Sequence, residues 1–69
     1  MDNNELKKVL KEKKYIIPIM DFLLKNNYNF KSEVDDDQAT IEIFNICKMF
    51  FYFEYEKGFD YKLEKYKSL

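Results

Sequence analysis

The chain has 69 residues, 46% hydrophobic and 19% aromatic, and its 12 basic and 13 acidic residues leave a net charge of −1. A balance this even exerts no general pull toward nucleic acid or anionic membrane. Histidine is absent and cysteine occurs once, which removes the commonest metal ligand and general base and excludes an intramolecular disulfide.

At this length there is room for one domain, 1–69, which buries only about 60% of the surface of its unfolded chain. The apolar content is generous for such a core, and the expectation is that some of it serves a partner. Asp2, Asn3 and Asn4 are N-cap candidates with Glu5 in the following turn. They open a helix over 4–14. Leu6, Val9 and Leu10 form its narrow apolar stripe, while Lys7, Lys8, Lys11, Glu12, Lys13 and Lys14 occupy the rest. Pro18 disfavours helical geometry in the residue before it but suits the first turn of a new helix. A second helix is therefore expected over 18–26, apolar through Ile19, Met20, Phe22, Leu23 and Leu24. Asn26 and Asn27 supply its stop, because asparagine tolerates the left-handed turn conformation. Tyr28, Phe30 and Val34 alternate, so 28–34 reads as a short extended piece against the core.

The stretch from Asp35 to Gly58 holds most of the large apolar side chains. Gln38, Glu42, Asn45, Lys48, Tyr52 and Glu56 recur at spacings of three and four, one stripe of a helix. Ala39, Ile43, Phe44, Ile46, Cys47, Phe50, Phe51 and Tyr55 gather opposite. Asp35, Asp36 and Asp37 suit the positive end of the helix dipole, and Gly58 suits a helix stop. The expected fold is therefore all-α: three or four helices around one long central amphipathic helix over 37–57. A short helix over 60–67 carries Leu63 and Tyr66. The alternative is α+β, with the two N-terminal helices followed by an antiparallel β-meander over 39–44, 48–55 and 59–66. Its hairpin at Glu56-Lys57-Gly58 has suitable turn residues, whereas a turn at 45–48 lacks Gly and Pro.

Phe22–Glu33 and Phe53–Glu64 echo each other: Phe22/Phe53, Lys31/Lys62 and Glu33/Glu64 are identical, and Asn27/Gly58 and Tyr28/Phe59 are similar. Each copy resembles the end of an ankyrin repeat, but the TPLH-type opening is absent and two copies are too few for a free-standing array. The short-long-short helix order after Pro18 also resembles a histone fold, without a supporting motif. A single non-repetitive domain is the reading adopted.

Cys47 alone cannot form a zinc site, and Ser32 and Ser68 have no base partner. Glu33 and Asp35–Asp37 lack the alternating ligands and central Gly of a calcium loop. No enzyme activity and no cofactor are expected. A lone thiol fits a reducing, intracellular compartment, and no apolar run approaches the ~20 residues of a membrane span. The composition, rich in Lys, Asn, Ile, Tyr and Phe and without Arg, points to an AT-rich genome.

The expected function is a protein–protein interaction module, a small subunit, adaptor or inhibitor, docking on a protein partner or a second copy through the aromatic helix face. Tyr52, Phe53 and Tyr55 are the expected anchors, while core packing competes for Phe50 and Phe51. Glu33, Asp35, Asp36 and Asp37 are expected to face a basic partner. The alternative is nucleic-acid contact within a larger assembly, with Lys7, Lys8, Lys11 and Lys14 neutralising phosphates.

Overall fold

A computed structural model describes residues 1–55 and 60–69 of the chain. Helix α1 (Asn3–Lys13) and helix α2 (Ile16–Lys25) are followed by four strands, β1 (Phe30–Val34), β2 (Gln38–Ile43), β3 (Cys47–Glu54) and β4 (Asp60–Ser68). The strands form one antiparallel sheet in the order β1-β2-β3-β4. The long central helix over 37–57 and the short helix over 60–67 do not form; the architecture is α+β, the meander alternative with one strand added at its start. The expectation of a small helical protein built on one amphipathic helix is corrected accordingly.

The two N-terminal helices begin and end on local chemistry. Asp2 caps α1, its side chain accepting a hydrogen bond from the Glu5 N–H at 2.8 Å. α2 starts two residues earlier than expected, at Ile16, with Pro18 inside its first turn, where the amides have no intrahelical acceptor. It stops at Asn27, in the left-handed region at φ 60°. There the Tyr28 N–H reaches the Leu23 carbonyl and the Asn27 N–H the Leu24 carbonyl, closing a Schellman motif.

Period-two alternation governs the sheet. Ala39, Ile41 and Ile43 from β2 and Cys47, Met49 and Phe51 from β3 are buried together against Leu6 and Leu10 of α1 and Ile16, Ile19 and Leu23 of α2. Both helices therefore cover one face of the sheet. Burying such a side chain contributes about 1.5–3 kcal/mol, far more than the few tenths of a kcal/mol per residue that separate most helix propensities. The β2–β3 turn is made by Asn45 at φ 66°, with the Ile46 N–H bonded to the Ile43 carbonyl at 3.0 Å. Asparagine here does what Gly was expected to do. Phe44, assigned above to a buried arc, lies in this turn and is 47% exposed.

β4 carries a bulge. Lys65 lies opposite Phe50 and Leu63 opposite Phe51, so Glu64 is the extra residue. The bulge resets the alternation, and Tyr61, Leu63 and Tyr66 all pack toward the core. Without it, the three-residue step from Leu63 to Tyr66 is a helical spacing. The echo between 22–33 and 53–64 is not a repeat: the first copy crosses from α2 into β1, the second from β3 into β4. The expected turn and helix stop at Glu56, Lys57 and Gly58 fall outside the described residues.

The two sheet edges differ. Beside β4, Tyr15 forms a bridge with Lys62, and the Leu63 N–H donates to the Lys14 carbonyl at 2.6 Å. Beside β1, no described residue pairs.

Candidate protein-binding site

The β1–β2 turn is a tight one. The Asp35 N–H donates to the Gln38 carbonyl at 2.7 Å, leaving Asp36 and Asp37 as the connecting residues. Aspartate suits such positions because its short side chain tolerates turn geometry and stays in water. The Phe53 N–H, near the end of β3, donates to the Asp37 carbonyl at 2.8 Å, which ties this acidic tip to the far end of the neighbouring strand.

Aromatic side chains close over the tip. The Tyr55 hydroxyl donates to Asp37 Oδ1 at 3.0 Å, and the Tyr61 hydroxyl donates to the Asp35 carbonyl at 2.8 Å. Phe53 meets Tyr55 edge-on at 4.6 Å between centroids and Tyr61 at 5.2 Å, the geometry aromatic quadrupoles prefer. The hydrogen bond to Asp37 raises the Tyr55 phenol above its ordinary value, with the Asp37 charge adding to it. Tyr55 is nonetheless 74% exposed. It is a large aromatic surface held in place, with the Asp37 carboxylate bonded to its hydroxyl and the Asp36 charge nearby.

The expected partner-binding residues thus converge without a helix to carry them. Asp35, Asp36 and Asp37, with Gln38, line a hollow of about 300 Å³. Phe53 is half-buried beneath Tyr55, and Tyr52, 37% exposed, lies opposite Gln38 on the sheet face that the helices leave open. Glu33 sits two residues before the tip, opposite Thr40 in the sheet. The helix face named as the docking surface is corrected: β3 alternates, sending Phe51 into the core while Phe50 and Tyr52 take the other side. Phe50 lies half-buried beneath the Lys48 ammonium and helps line an open groove of about 420 Å³ with Thr40, Glu64 and Lys65.

Two contributors were not anticipated. Tyr61 locks the tip, and its alternation with Leu63 was the visible signal. On the open face, the Tyr15 hydroxyl bonds to Glu54 Oε1 at 3.0 Å while Lys62 Nζ lies 3.7 Å from Glu54 Oε2. No spacing in the sequence connects residues so far apart. The Glu54 hydrogen bond raises the Tyr15 phenol.

At the helical side, Lys7, Lys8, Lys11 and Lys14 line one groove of about 480 Å³ with Asn4 and Glu12. Among the described residues no group of three or more Cys, Asp or Glu is placed to hold a metal ion, and no helix is long and apolar enough to cross a membrane. Comparison with family models, with curated proteins and with solved structures finds no match.

Proposed function

We propose that this protein is a non-enzymatic binding module that docks on a basic protein surface through the tip formed by Asp35, Asp36, Asp37 and Tyr55. The observation that carries this reading is the exposed Tyr55 ring, fixed by Asp37 and Phe53 at the acidic β1–β2 turn. A lysine or arginine on a partner finds there both a ring face and anionic oxygens. Because the ring is already held, docking spends little conformational entropy on it. Tyr52 extends the contact onto the open sheet face.

The test is binding to an immobilised panel of Lys- and Arg-rich peptides at low and moderate salt. Wild type is expected to be retained. Tyr55→Ala is expected to weaken binding at least about tenfold, as removal of a central aromatic anchor does. Replacing Asp35, Asp36 and Asp37 together by Asn is expected to remove the salt-dependent part. No retention of wild type by any peptide, or retention indifferent to both changes, would sink the proposal.

A second reading rests on a different observation, the convergence of Lys7, Lys8, Lys11 and Lys14 on one groove. It makes α1 an accessory nucleic-acid contact within a larger assembly. It predicts salt-dependent retention on heparin that is lost when Lys7, Lys8 and Lys11 are changed to Glu. Absence of retention at low salt ends it.

A further inference from the structure

The outer edge of β1 is unpaired among the described residues and carries Lys31 and Glu33 two positions apart. The Asp35 N–H donates to the Gln38 carbonyl, and the Phe44 N–H donates to the Asn29 carbonyl. Those bonds identify residues 29 and 35 as positions whose backbone groups face β2. Alternation in an antiparallel ladder extends this to Lys31 and Glu33 and turns the amides and carbonyls of Phe30, Ser32 and Val34 outward. Among the described residues nothing pairs with that outward row. Val34, on the helix-bearing side of the sheet, is 58% exposed.

We propose that two copies pair through β1 about a twofold axis at Ser32, joining their sheets into one. An axis there sets Ser32 against the partner's Ser32, and Phe30 against the partner's Val34. These are the outward-facing residues, so each opposed pair exchanges both backbone hydrogen bonds. Lys31 then stands opposite the partner's Glu33, and Glu33 opposite the partner's Lys31. Both fall at the non-hydrogen-bonded positions, where side chains of an antiparallel pair come closest and opposite charges help most. On the other side Phe30 and the partner's Val34 cover each other, which removes exposed apolar surface.

The same charges set the register. Sliding the copies by two residues brings Lys31 against Lys31 in one direction and Glu33 against Glu33 in the other. A neutral strand on this edge would leave Glu33, which stands opposite Thr40 in its own sheet, without an opposite charge, whereas Lys31 already faces Glu42. The pair closes on itself, because the opposite edge of each sheet is already strapped by residues 14–15. This proposal is independent of the acidic tip, and its test uses no basic probe.

Strand pairing alone makes an interface at the small end of the specific range, so the dimer should be concentration-dependent, with a midpoint between roughly 10 µM and roughly 1 mM. Sedimentation velocity across that range reads it, with circular dichroism confirming that each variant folds. Lys31→Glu and Glu33→Lys are each expected to weaken self-association at least about tenfold, since each makes two like-charged pairs. Mixed in equal amounts, the two variants match every charge and are expected to form a heterodimer as strong as the wild-type pair. A wild type that stays monomeric throughout, a dimer indifferent to both reversals, or variants that do not associate on mixing would overturn the proposal.

Discussion

Replacing Phe51 by alanine is expected to unfold the protein, whereas replacing its neighbour Phe50 leaves it folded. Phe51 is 2% exposed and belongs to the cluster joining both helices to the sheet. Truncating a buried Phe costs about 3–5 kcal/mol, the lost transfer energy plus the cavity left behind. A chain of this size has a total stability of about that amount. Phe50, on the open face with one side in solvent, is expected to cost about 1 kcal/mol or less. Urea melts of the two variants, followed by far-ultraviolet circular dichroism, make the comparison. A Phe50→Ala variant as damaged as Phe51→Ala would contradict the placement of β3 and the sheet with it.

A second large effect is expected at alkaline pH. Burial raises the Tyr66 phenol well above its ordinary 10.0, reinforced by the neighbouring Cys47. Burial also raises the Cys47 thiol above its ordinary 9.0, and Tyr15 and Tyr55 shift in the same direction through their hydrogen bonds to carboxylates. Above pH 9 to 10 the unfolded chain gives up these protons while the folded one keeps them. The unfolded state then binds fewer protons, so stability falls as pH rises. Below the ordinary values of these groups, stability is expected to be unaffected by them; it is lost progressively as pH climbs through the raised values. Tyr66 carries the largest shift and is partly buried, so Tyr66→Phe is expected to flatten the alkaline limb in urea melts from about pH 8 to about pH 11. An unchanged slope in that variant would show that the Tyr66 phenol of the unaltered protein does not hold its proton more tightly in the fold.

Local chemistry was legible wherever a residue acts on its own neighbours. The Asp2 cap, the stop at Asn27 and the extended piece that became β1 all follow from interactions spanning a few residues. The acidic and aromatic residues of the tip were recognisable by type. Their convergence was not, because the Phe53–Asp37 and Tyr61–Asp35 hydrogen bonds exist only once residues of β3 and β4 lie beside the β1–β2 turn.

The error over 37–57 has a specific source. Apart from Asn45, the odd positions from Ala39 to Phe53 are all apolar, which is a strand signal. Phe44, Ile46, Phe50 and Tyr52 at even positions masked it, and the polar residues left over happened to fall at helical spacing. Those four are apolar for reasons the alternation does not include: Phe44 and Ile46 belong to a turn, and Phe50 and Tyr52 lie on the sheet face without helices. In β4 the Glu64 bulge moved Leu63 and Tyr66 to a three-residue spacing that reads as helix.

By itself, the sequence determined the two N-terminal helices, the cap at Asp2, the stop at Asn27, the residue types of the acidic and aromatic tip and the absence of histidine. Those depend on local geometry and on what the side chains are. Helix versus strand beyond residue 37 was decided by tertiary structure. Only a sheet brings Ile41, Met49 and Phe51 together against Leu10, Ile19 and Leu23, and burial of that cluster outweighs any local periodicity.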